Sequence, residues 1–182
     1  MASDEHIAEH PARENPYTAN DVLAILREKG WLVADPSPGH VGFCEYAAAL
    51  LGHFAVDRTG LVGLLTLVFT YDAAQILQTT EAHTVLARYA ARDVVRQLGL
   101  VLLDGAPFTS DRFKEVVSQL KEKLELRGRD LFHPIRLTLA GRAGEGELDR
   151  VILLVDEAAA LPFVVPVKSI RTRVVEFCSV LE

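Results

Sequence analysis

The residues of this chain whose types and order could do chemistry lie between Arg127 and Leu154, RGRDLFHPIRLTLAGRAGEGELDRVILL. Arg127, Arg129, Arg136 and Arg142 fall within sixteen residues that hold a single acid, Asp130. Phe132, His133 and Pro134 are interleaved, and Gly141, Gly144 and Gly146 break the run before an apolar helix resumes. Four arginines less one aspartate give this segment a local charge of about +3 inside a chain of formal charge −6. Such asymmetry marks a binding face for a phosphate-rich partner. Charge alone does not decide the matter, because a solvated loop between core helices carries the same composition.

Other chemistries lack their residues. There is no G-x-x-x-x-G-K-[ST] loop, no G-x-G-x-x-G at a strand-to-helix turn, and no serine in a G-x-S-x-G elbow. No Cys/His cluster has zinc spacing, so no metal or cofactor is expected. His6 and His10 are four apart but have no further ligands beside them, and read as solvated side chains. His133 is the only histidine in a basic setting and reads as a hydrogen-bonding or packing residue rather than a base. The expected set of catalytic residues is empty: the chain is not expected to be an enzyme by itself.

The 182 residues are 49% apolar and 7% aromatic, an ordinary globular composition leaning towards helix. A pI near 5.5 argues against non-specific coating of nucleic acid and leaves room for one local basic contact. Cys44 and Cys178, far apart among apolar neighbours, read as free thiols in a reducing cytoplasm. No apolar run reaches membrane-spanning length.

The elements that must position the basic segment are helices. Residues 1–16 are polar, acidic and hold two prolines, which predicts a mobile tail. The remainder, 17–182, reads as one helical domain with a possible division into about 17–99 and 100–182. Thr18 caps a first helix that Gly30 stops, a second runs from about Val41 to Phe54, and a buried third covers 61–69. Asp72 caps a short helix, and Thr79-Thr80 opens a long one ending at Leu98. On it Ala82, Val85, Leu86, Tyr89, Ala90, Val94 and Leu98 face inward, while Arg88, Arg92 and Arg96 form a basic stripe. Thr109 or Ser110 caps an amphipathic helix closed by Gly128, a further helix spans 147–161, and a terminal one begins at Val167. Helix is preferred to strand for IRLTLAG and VILLVDE because the 3.6-residue period extends beyond each run.

With this context the basic segment is identifiable. GRDLFHPIRLTLAGR, Gly128 to Arg142, followed by Glu147-Leu148, resembles the C-terminal region of bacterial glutamyl-tRNA synthetases, whose signature is similar to G-[KR]-x-L-F-x-P-[LI]-R-x-[AT]-L-[TA]-G-[RS]. LVFTYDAAQIL, 67–77, is similar to the aromatic-plus-Asp segment that the family places before its long helix. The resemblance is specific over about 66–156 and weak upstream. It implies an all-α helical cage that binds the anticodon stem and loop of tRNA, with a possible synthetase or other translation protein as partner. It also implies RNA contacts at Arg136, Arg142, Arg129, Arg127, Phe132 and Leu148, with Pro134 and Gly141 shaping the turn and the helix end.

Two departures limit what carries over. Where the family has a turn with Thr-Pro or Gly-Pro and then Leu-Phe, this chain has Ala143-Gly144-Glu145-Gly146-Glu147-Leu148-Asp149, whose carboxylates would repel phosphate. The family's ATP-binding catalytic domain has no counterpart in these residues. Gly39-His40-Val41-Gly42 superficially resembles its HIGH motif, but sits in a Pro/Gly turn with no strand before it and reads as coincidence. The expected function is tRNA binding without aminoacylation; the alternative is a helical protein-interaction scaffold that has lost RNA binding.

Overall fold

Helix is dictated by caps and apolar spacing along nearly the whole chain, and a computed structural model describes residues 14–182 as ten α-helices without a strand among the described residues. They are α1 (Ala19–Glu28), α2 (Pro38–Leu51), α3 (Arg58–Phe69), α4 (Ala73–Ile76), α5 (Thr80–Leu86), α6 (Ala91–Leu102), α7 (Ser110–Leu124), α8 (Arg129–Ala140), α9 (Gly146–Ala159) and α10 (Ile170–Leu181). Side-chain caps open several of these helices: Asp57, Asp72 and Thr109 accept from the backbone N–H of Gly60, Gln75 and Arg112, and Thr18 forms a capping box with Asp21. Each satisfies orphan donors of a first turn. None of the described helices is long and apolar enough to cross a membrane.

α8 occupies the middle, packed on α5, α6, α9 and α10, so nearly all of it from Leu131 onward is buried. The larger core joins Val22, Leu51, Leu65, Leu98, Leu120, Ile135 and Val151 from seven helices. A smaller one joins Ala82 and Val85 of α5, Val95 of α6, Leu137 of α8 and Phe177 of α10. The Pro162–Pro166 segment has a packing role: Phe163 sits edge-on to Phe43 and Phe69, with centroids 5.5 and 4.9 Å away, and Val164 N–H donates to Trp31 O. The stacked Trp31–Phe69 pair, 4.4 Å apart, completes that aromatic group. His40 belongs to this packing too. Its Nδ1 meets the cap residue Ser37 and its Nε2 lies 3.2 Å from Pro162 O, and residues 39–42 form the start of α2 rather than a turn.

His6, His10 and most of the expected tail lie outside the described residues. At its end Asn15 is docked: Nδ2 donates to Ala48 O at 2.8 Å and Oδ1 accepts from Tyr17 N. A Cβ at Gly52 would collide with the Asn15 amide in its docked position.

Three local expectations need correction. The long helix over 80–98 is two helices, α5 and α6, because Ala90 adopts a left-handed conformation (φ 59°, ψ 4°) that no α-helix tolerates. Arg88, Arg92 and Arg96 therefore form no continuous stripe, and Tyr89 points out rather than in. Gly128 does not close α7: Glu125, at φ 55°, does so, and Gly128 instead opens α8. Pro134 lies inside α8 rather than at a turn, and the carbonyl it leaves without a helical partner is that of Asp130 in the exposed first turn. Gly141 ends α8 with φ 82°, as expected of a left-handed cap.

Candidate nucleic-acid interface

α8 places the expected site residues at three depths. Arg127 and Arg129, at the helix start, are exposed and make no ion pair among the described residues. Arg142, just past the helix end, is exposed, with Nε 3.6 Å from a Glu81 carboxylate oxygen on α5. Two of the residues expected to contact RNA are buried: Arg136 is 8% exposed and Leu148 3%. Leu148 is part of the main core, holding the first turn of α9.

Arg136 is fully engaged. Its Nε and Nη2 donate to the two carboxylate oxygens of Asp149 at 2.8 and 2.9 Å, and Nη1 donates to Gly144 O at 3.0 Å. The guanidinium also lies over the half-buried Phe132 ring, 4.8 Å from its centroid. A planar fork can make these bonds and stack at once. The result is a clamp that ties the 141–145 turn and the start of α9 onto the middle of α8. Asp149 is thereby neutralised, and Glu147 accepts from Glu145 N–H within its own turn. The acidic turn projects less free negative charge than its composition suggests.

The residue pair that spacing alone could not join is Arg88 with His133. Arg88 Nη1 lies 2.8 Å from His133 Nδ1. A guanidinium can only donate, so Nδ1 is the acceptor and the imidazole is neutral with its hydrogen on Nε2. Nε2 is buried and has no partner among the described residues. Burial, reinforced by the charges of Arg88, Arg129 and Arg136 and opposed by Glu145, holds the His133 pKa below its ordinary value. Three cations thus converge on one neutral ring. The basic pattern around Arg88 was visible in the sequence; its turn towards α8 depends on the break at Ala90, which has no glycine or proline to announce it.

At the far end of α8, Arg173 of α10 is completely buried. Its Nη1 donates to Leu67 O and Leu139 O, Nη2 to Val68 O at 2.6 Å, and Nε to Lys168 O. The first three carbonyls belong to the last turns of α3 and α8, so one cation caps two helix C-termini. Tyr71 closes the arrangement: its ring lies 4.7 Å from the guanidinium carbon and its hydroxyl donates to Thr138 O.

The exposed cations at the start of α8 can attract anions. No group of three or more His, Cys, Asp or Glu lies together as a metal site among the described residues. Comparison with known proteins gives the chain its relatives. It is 38% identical over 124 residues to glutamate–tRNA ligase 2 of Coxiella burnetii (strain CbuK_Q154), a match covering 63% of this chain and 26% of that protein. The chain resembles part of a glutamate–tRNA ligase. Glutamate–tRNA ligase 2 of Syntrophus aciditrophicus (strain SB) is 31% identical over 86 residues, covering 47% of this chain and 16% of the ligase. No family model matches the chain. The matches span about a quarter or less of these ligases.

Proposed function

We propose that this chain contacts the anticodon arm of tRNA through the start of α8 and the adjoining α5–α6 junction, without itself aminoacylating. The observation that carries this reading is a set of cations, Arg127, Arg129 and Arg88, with no carboxylate partner among the described residues in a chain that is otherwise acidic. The unpaired guanidinium groups of Arg127 and Arg129 at the start of α8 suit RNA phosphates and splayed bases, and Arg88, held on His133, adds its charge beside them. The similarity to glutamate–tRNA ligases supports the same partner. In this reading Arg127, Arg129 and Arg142 touch RNA, while Arg136 holds the surface in shape from within and Leu148 seats α9.

An electrophoretic shift with total tRNA across a salt series tests it. Binding is expected at low ionic strength, and Arg129→Ala should weaken it while reducing the log–log salt slope by about 0.7 to 0.9. Absence of salt-sensitive binding overturns the reading.

A protein-interaction scaffold is the second reading. Exposed Leu100, Leu103 and Val175 line one groove between α6 and α10, on apolar surface that an RNA contact does not use. Retained capture of a glutamate–tRNA ligase by a variant that no longer binds tRNA would favour it.

A further inference from the structure

The α5–α6 junction holds an aromatic ring in an unusual place. Ala90 sits in the left-handed region, which is unfavourable for a residue with a Cβ and persists only when its surroundings fix it. Here they do: Ala91 is buried, its N–H donates to Arg88 O, and the Arg88 side chain is pinned on His133. The reversal between these two anchors throws Tyr89 outward, at 88% exposure, although helical periodicity would have buried it. Tyr89 makes no ring, cation or hydrogen-bond contact with any described residue, so both faces of its ring are open.

Its surroundings select the occupant. Arg88 precedes it, and Arg92, exposed, follows in the first turn of α6, a helix whose N-terminus has no side-chain cap. The nearby acid Asp93 is 3.5 Å from Arg96 and is partly offset by it. The immediate neighbours Ala87 and Ala90 offer little apolar area, and the groove that Ala87 lines with Leu86 and Leu181 is edged by Arg92 and His83. A rigidly presented ring beside a free cation is the arrangement that holds an unstacked base while the guanidinium group takes a neighbouring phosphate.

We infer that Tyr89 is a stacking platform for one unpaired nucleobase of a single-stranded RNA segment, flanked by a phosphate contact from Arg92. This rests on the tRNA-binding reading and adds to it a base-contacting residue outside the 127–142 segment.

The experiment compares wild type, Tyr89→Ala, Tyr89→Phe and Tyr89→Trp, with circular dichroism confirming unchanged helix content. The probes are total tRNA, a mixed-sequence single-stranded RNA heptamer, and an abasic heptamer of equal charge. Tyr89→Ala should bind tRNA roughly tenfold more weakly with an unchanged salt slope, because stacking but no charge is removed, whereas Tyr89→Phe stays near wild type. The added indole of Tyr89→Trp, read against the buried Trp31 background, should be quenched by the heptamer and not by the abasic one. Wild-type affinity in Tyr89→Ala, with salt-sensitive tRNA binding intact, overturns the stacking role and leaves the tRNA reading standing. No tRNA binding by wild type overturns both.

Discussion

The two ends of α8 treat positive charge in opposite ways. At its C-terminal end the Arg173 guanidinium is removed from water and surrounded by four backbone carbonyls. At its N-terminal end Arg127 and Arg129 stay in solvent without partners among the described residues, above a histidine that is buried and neutral. Arg136, between them, is buried but paired with a carboxylate. The same side chain thus serves as a cap, a clamp and a free charge along a single helix. What separates these roles is the partner each finds: helix-end carbonyls, an aspartate, or water. Only the free charge is available to a ligand, so the buried arginines build the surface that the exposed ones offer.

Removing the cap should have the largest effect. Burial pulls the Arg173 pKa down to about 10, against the opposing pull of Tyr71, Asp156 and Glu176, so the group remains charged near neutral pH. Arg173→Met leaves carbonyls of α3 and α8 unsatisfied and should cost about 4 kcal/mol in urea unfolding, as unsatisfied buried polar groups do. A loss under about 1 kcal/mol would mean that water replaces the guanidinium, and the contrast between the two ends of α8 would fail.

The clamp comes next. Asp149→Leu strands the Arg136 charge and should destabilise by about 3 kcal/mol, whereas Arg136→Met combined with Asp149→Leu should cost less than either single change. Additive costs in that double-mutant cycle would show that the two side chains do not act as a pair.

The smallest expected effect concerns His133 and appears in pH dependence. Because its pKa is depressed in the folded protein, the unfolded chain binds the proton more readily. The stability due to neutral His133 is therefore fully present above the unfolded value of about 6.5 and is lost as pH falls through the depressed folded one. His133→Asn, which keeps an acceptor for Arg88, should flatten the fall in melting temperature between pH 7 and pH 5. An unchanged slope would place the acid sensitivity elsewhere.

Much of this fold is written locally. Thr18, Asp57, Asp72 and Thr109 stand where helices start, and the order of aromatic, proline, arginine and glycine in 128–142 carries the synthetase resemblance. What could not be read depends on contacts distant along the chain. Asp149 takes up Arg136 from thirteen positions away, and Phe163 finds Phe43 and Phe69 across the chain. The break at Ala90 is the sharpest case. No residue there favours a left-handed conformation, so only the tertiary anchors of Arg88 and Ala91 produce it, and with it the exposure of Tyr89.

The carbonyls that Arg173 gathers lie 106, 105, 34 and 5 residues before it. The distant contacts, to α3 above all, close late, because the chain between them must first lose its freedom. During synthesis α3 and α8 emerge well before the residue that caps them both. Until α10 arrives and docks, the two helices end in bare carbonyls, and the surface at the start of α8 rests on a helix not yet held at its other end. The assembly of the candidate interface is therefore timed by α10, a helix that carries none of its exposed arginines.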